Sequence, residues 1–169
     1  MKTKSKTVAV LLLFAALSLC IVPVLAGCAE KHSDLPDYTF TAGGADIAVG
    51  DDIDSIAARA GECNGFSSSP SCAGDGADEM YVYNGYRIFA FRAGDTCRIT
   101  SIELTNDTVR TREGIRIGDS RSAVIAAYGE SYSLSGNRMI YRGKNATLQF
   151  FLKDGKVLSI KYLENGGQS

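Results

Sequence analysis

The chain has 169 residues, 45% hydrophobic and 22% charged, with 18 basic and 19 acidic side chains. No basic block or Lys/Arg stripe runs through it, which argues against nucleic acid and anionic lipid surfaces as partners. One histidine and no tryptophan narrow the chemistry, because most acid–base and nucleophilic sites lean on an imidazole.

The first segment reads as an export signal. Lys2, Lys4 and Lys6 precede an apolar run from Val8 to Val22, broken only by Ser18 and Cys20 and stopped by Pro23. That order fits a secretory signal and is short for a spanning helix. It closes on Leu25-Ala26-Gly27-Cys28, which resembles the lipobox of bacterial lipoproteins with no departure from the pattern. The resemblance implies cleavage before Cys28, lipid on its sulfur, and an anchor on the outer face of the cell membrane. Two acyl chains hold stably where one is marginal. Residues 1–27 are then a signal peptide. The remaining 142 residues carry 15 basic and 19 acidic side chains, a net charge of −4. That length suits one compact domain, burying about 70% of its unfolded surface.

Residues 28–37 read as a polar tether, and they hold the one histidine, His32. A tether cannot hold the geometry that a general base needs. Ser–His–Asp, Cys–His and histidine-zinc arrangements are therefore not expected, and neither is a cofactor or an enzymatic activity.

Beyond the tether the sequence matches itself. Ile47-Ala48-Val49-Gly50-Asp51 parallels Ile115-Arg116-Ile117-Gly118-Asp119, and Gly61-Glu62 parallels Gly129-Glu130, at an offset of 68. Tyr81-Val82-Tyr83 with Gly85 parallels Met139-Ile140-Tyr141 with Gly143, and Ile99–Ile102 parallels Val157–Ile160, at an offset of 58. Four matches in order predict a tandem duplication, with repeat 1 over 38–107 and repeat 2 over 108–165. About ten extra residues in the first copy fall on the segment with Cys63 and Cys72.

Each copy predicts a helix capped by Asp51 or Asp119 and ended by Gly61 or Gly129. Three strands follow: Met80–Tyr83, Tyr86–Arg92 and Arg98–Leu104, then Arg138–Tyr141, Ala146–Leu152 and Lys156–Leu163. An extra strand is expected near Tyr38–Thr41 and near Thr108–Thr111. The expected fold class is α+β: a tandem duplication of helix plus antiparallel β-meander, forming one sheet with helices on one face. At this point the chain resembles the β-lactamase inhibitory proteins and the SmpA/OmlA-type lipoproteins. Its Thr111–Ser120 segment with Tyr128-Gly129, and Ser71-Cys72-Ala73-Gly74 with Asp78 and Tyr81-Val82-Tyr83, resemble small Gram-positive lipoproteins. The resemblance implies a tandem α/β fold; no inhibitory hot-spot residue carries over.

Three cysteines remain after Cys20 leaves and Cys28 is lipidated, and sequence permits three pairings. Cys63–Cys72 is the favoured bridge, closing the Ser/Gly-rich stretch Asn64–Ser71 as a restrained loop, with Cys97 as a buried strand residue. Asp51, Asp52 and Asp54 read as helix capping and not calcium ligation, since the glycine and distal Glu of an EF-hand loop are missing. Asp75-Gly76-Ala77-Asp78-Glu79 reads as a solvated acidic turn. Ala42-Gly43-Gly44-Ala45 lacks the spacing of a phosphate loop.

Aromatic and arginine side chains remain as candidates. Strands send alternate residues to both faces while the helices cover one. Tyr81, Tyr83, Arg87, Arg92, Arg138 and Tyr141 are therefore the candidate binding face, being the types enriched at hot spots. The expected function is a membrane-anchored, extracytoplasmic, non-enzymatic module that binds a protein or an envelope component. The alternative is a small-ligand or envelope-stress sensor for a glycan, peptide or ion; a hydrolase ranks below both.

Overall fold

A computed structural model describes residues 35–72 and 74–166. The signal segment, Cys28 and His32 lie outside the described residues. The chain opens with a hairpin, β1 (Phe40–Ala42) and β2 (Ala45–Ile47), followed by α1 (Ile53–Ile56). Four strands come next: β3 (Gly65–Pro70), β4 (Ala77–Tyr83), β5 (Tyr86–Ala93) and β6 (Thr96–Leu104). After α2 (Arg121–Tyr128) come β7 (Ser133–Ser135), β8 (Arg138–Arg142), β9 (Ala146–Lys153) and β10 (Lys156–Glu164). The last eight strands make one antiparallel sheet in the order β3-β4-β5-β6-β10-β9-β8-β7.

This corrects the expected fold class. The molecule is mainly antiparallel β, not a tandem helix-plus-meander α+β fold. Among the described residues its helices are only four and eight residues long, and the organising unit is one eight-stranded sheet. The first helix starts on a capped end: Asp52 accepts from the Asp54 amide at 3.1 Å and the Ser55 hydroxyl donates to the Asp52 carbonyl at 2.7 Å. The caps also lie one residue later than expected, at Asp52 and Ser120. Asp51 and Asp119 instead accept from the amides of Ala48 and Arg116, at 2.8 and 3.0 Å, closing the turn that leads into each helix. The expected strand near Thr108–Thr111 does not form.

The Ser/Gly-rich stretch between Cys63 and Cys72 is not a loop. It is β3, paired with β4 from Gly65↔Val82 to Pro70↔Ala77. Serine is a poor signal for a strand, but an edge strand needs only one neighbour and here both its faces are largely exposed. The glycines at 43 and 44 make the two-residue turn of the β1–β2 hairpin, at φ +59° and +82°, as a type I′ turn requires. A Cβ on Gly43 would come within 2.2 Å of the Arg59 carbonyl oxygen.

One face of the sheet is covered. Its core rows read Tyr86, Leu104, Ile160, Phe150, Met139 and Ile88, Ile102, Tyr162, Leu148, Tyr141 across successive strands. Phe40 and Ile47 of the hairpin, Ile53 and Ile56 of α1, and Val124 of α2 complete the same cluster. Full burial of one such side chain contributes about 1.5–3 kcal/mol. The two halves meet at a short seam, Ser101–Leu104 of β6 against Ile160–Leu163 of β10. Beyond it the strands part. Gly50 and Asp51 bond to Ile99, and Gly118 and Asp119 to Val157, each contact 2.8 Å, so the freed backbone groups are satisfied. A register shift in each half, at Phe89/Ala90 and at Val157/Ser159, bends the strands.

Candidate functional site

Register decides which side chains reach the uncovered face. Tyr81 pairs with Ile88, Tyr83 with Tyr86, Tyr141 with Leu148, and Arg92 with Cys97, all rows of the covered face. Four of the six expected binding-face residues, Tyr81, Tyr83, Arg92 and Tyr141, are therefore on the wrong side. Tyr83 stacks on Tyr86 with centroids 4.7 Å apart. Tyr141 is 1% exposed and its hydroxyl donates to the Gly129 carbonyl at 2.9 Å, tying the end of α2 to the sheet. Tyr86 does the same for the first half, donating to the Ala60 carbonyl. Tyr86 and Tyr141 bury their rings and pair their polar tips, as buried tyrosines do.

Tyr81 and Arg92 belong to a polar cluster between α1 and the sheet. Arg92 Nε donates to Glu79 at 2.7 Å, and its two terminal nitrogens reach Asp54 of α1 at 2.9 and 3.1 Å. The Tyr81 hydroxyl and the Cys97 thiol both donate to the other Glu79 oxygen, at 2.7 and 3.1 Å. Glu79, expected in a solvated turn, is 6% exposed. The Arg92 hydrogen bond, followed by those from Tyr81 and Cys97, pulls its carboxyl down to about 2 despite burial. Burial and the Glu79 carboxylate push the Cys97 thiol up to about 12. A thiol held protonated is a poor nucleophile, and these bonds fasten α1 to the sheet. Among the described residues no group of three or more His, Cys, Asp and Glu side chains is placed to hold a metal.

The expected bridge is also corrected. Cys63 and Cys72 are free and exposed, at opposite ends of β3, and Cys97 is free and buried. The pairing was drawn on a loop, and the segment is extended.

Arg87 and Arg138 do reach the open face. Arg87 lies in the row Val82, Arg87, Glu103, Lys161, Gln149, Ile140. Glu103 stands between two cations, 3.5 Å from Arg87 and 3.3 Å from Lys161. The next row runs Ser159, Phe151, Arg138, Ser135. Together with Gly136 and Asn137 of the β7–β8 turn, this second row and Glu103, Lys161 and Gln149 of the first line a hollow of about 710 Å³, within the size range of small-molecule sites. Sequence reading missed Glu103, Gln149, Ser159 and Lys161, and named Phe151 only among the strand aromatics. Their period-two alternation was visible, but the face each one takes depends on bulges that no local signal marked.

No family model matches the chain, and no curated protein does. Solved structures are similar to it, two of them as follows. One is an extracellular protein containing an SCP domain from Bacillus anthracis: TM-score 0.51, 15% identity, covering 70% of this chain and 44% of that one. The other is a cysteine-rich secretory protein from Staphylococcus aureus: TM-score 0.49, 16% identity, covering 77% of this chain and 48% of that one. This chain spans less than half the length of either. The resemblance to the β-lactamase inhibitory proteins and the SmpA/OmlA-type lipoproteins is overturned, since it rested on short glycine-centred matches that turns between strands and helices share. At 15% identity, the likeness to the Bacillus anthracis protein is one of fold.

Proposed function

We propose that this chain is an extracytoplasmic, lipid-anchored, non-enzymatic module whose open sheet face binds a protein or an envelope component. The observation that carries the reading is the uncovered face itself. Beside the paired Arg87–Glu103–Lys161 row it keeps a hollow with an exposed ring, Phe151, and an arginine, Arg138. Aromatic and arginine side chains at a concave surface are the usual anchors of recognition. The sequence Leu25-Ala26-Gly27-Cys28 supports the anchor, and the extracellular nature of the Bacillus anthracis structure supports the compartment. The polar groups of the α1 cluster pair with one another, which supports a binding role over catalysis.

Crosslinking in intact cells tests it. Arg138→Glu with Lys161→Glu should abolish capture of the partner that the unaltered protein brings down. Phe66→Ser, on the other face, should leave capture intact. Equal capture by all three forms would remove the open face from the function. Cys28→Ser should release the protein from the membrane or leave it unprocessed; a cleaved Cys28→Ser form retained at the membrane would refute the anchor.

A further inference from the structure

The hollow has an unbalanced charge and unfilled hydrogen-bonding groups. Glu103 is already held by Arg87 and Lys161, so its charge is spent on that row. Arg138, one row away, makes no side-chain hydrogen bond or ion pair among the described residues. Gln149 and Asn137 likewise make none through their side chains. Ser159, on the floor, has a buried hydroxyl without a partner. Phe151, the cross-strand neighbour of Arg138, is 38% exposed. A guanidinium beside an open aromatic ring and three unpaired polar groups is a set of donors waiting for an acceptor on a partly apolar body.

Resting on the reading of the open face as a binding surface, we propose that this hollow takes a monocarboxylate carried on an apolar or aromatic body. The carboxylate pairs with the Arg138 fork, whose two parallel N–H groups match its oxygens. The body lies along Phe151. Charge favours the monoanion: Glu103 is shared by Arg87 and Lys161, which leaves Arg138 as the one cation of the lining without an acidic partner among the described residues. A phosphate dianion would exceed that single charge and face the Glu103 carboxylate. Gln149 and Asn137 offer amides to polar groups along the body.

The test uses the full chain in detergent, observed by amide NMR shifts and calorimetry. The probes are N-acetylphenylalanine, its amide, and phenyl phosphate. The acid should shift the amide signals of Phe151, Gln149 and Arg138. Its amide and phenyl phosphate should each bind at least tenfold more weakly. Arg138→Gln should weaken the acid tenfold or more, and Arg138→Lys should restore part of the loss; unchanged thermal melts for both variants exclude a folding defect. Equal binding of acid and amide, tighter binding of the phosphate, or no shift at Phe151 and Arg138 would overturn the assignment. If the acid fails while Arg138→Glu with Lys161→Glu still abolishes partner capture, the ligand chemistry is wrong and the binding face stands. If the acid binds and capture is unaffected, the reverse holds.

Discussion

The two halves of the sheet share a frame and differ in what fastens it. In each, a Gly-Asp turn bonds onto the strand beside the seam, a bulge bends that strand, and a tyrosine hydroxyl ties the end of the helical segment to the sheet. Around α2 the fastening is aromatic: the Tyr128 ring lies 5.2 Å from Phe150 and 5.4 Å from Tyr141, and Phe150 lies 5.9 Å from Tyr141. Around α1 it is ionic, through Asp54, Arg92 and Glu79. Helix length explains the contrast. The eight residues of α2 bring the Tyr128 ring against the core, whereas four-residue α1 carries no aromatic and adds the Arg92 fork to its buried Ile53 and Ile56.

The largest effect should come from the aromatic half. Phe150 is fully buried at the centre of its cluster, and Phe150→Ala should cost about 3–5 kcal/mol. A denaturant midpoint unchanged within error would show that the second half is not held by this packing.

The ionic half should respond next, and differently. Glu79→Ala leaves Arg92 with Asp54 and the Tyr81 hydroxyl and strips the acceptor from Tyr81 and Cys97. The cost should be about 2–3 kcal/mol, below the loss expected for a dry pair, because the Arg92 side chain is 30% exposed. The same residue makes the first half acid-sensitive. Its carboxyl is held at about 2 against an ordinary 4.5. The folded state therefore binds the proton less readily than the unfolded chain. The Glu79 contribution is complete above the ordinary value and is lost as pH falls from about 4.5 towards 2. Glu79→Gln should flatten that part of the stability profile; an identical acid slope in both proteins would remove Glu79 as its source. Phe150→Ala should leave the slope unchanged.

A smaller difference separates the tyrosine ties. Tyr141→Phe removes only the bond to the Gly129 carbonyl and should cost about 0.5–1.5 kcal/mol. Exchange of the α2 amides should speed up while those of β5 stay protected. Uniform loss of protection would mean that the tie serves the whole sheet.

The strands were more legible than their faces. All six strands read from alternation lie within β4, β5, β6, β8, β9 and β10, because half-buried strands write period two into the sequence. β3 and β7 were not read, being serine-rich edges with little to bury. Faces were misjudged for a specific reason. A tyrosine is consistent with either side, and burial drew Tyr83 and Tyr141 inward, where Tyr83 stacks on Tyr86 and the Tyr141 hydroxyl found the Gly129 carbonyl. The bulge in β10 also breaks the alternation, leaving Leu158 exposed between Val157 and Ser159. Arg87 and Arg138 lie on the uncovered face, as cations without a buried partner do. Arg92 is the exception, since Glu79 and Asp54 supply the partners.

The last prediction concerns the edge of the first half and carries the least stability. Ladder bonds bracket β3 from the Asn64 amide, on Val82 at 2.8 Å, to the Ser71 amide, on Gly76 at 3.0 Å. At the rise of an antiparallel strand that span is about 24 Å. Cys63 and Cys72 each lie one residue outside it, and one residue covers at most about 3.8 Å. Their Cα atoms thus stay more than about 16 Å apart, whereas a disulfide needs them within about 7 Å. Bridging them would require β3 to leave β4. In native protein both thiols should therefore react with iodoacetamide, while Cys97, fully buried and held protonated, should react only on unfolding. Reductant should leave the melting temperature where it was. A Cys63–Cys72 crosslinked peptide from unreduced native protein would mean that the first half ends at β4, and that the six residues of β3 form the loop their serines suggest.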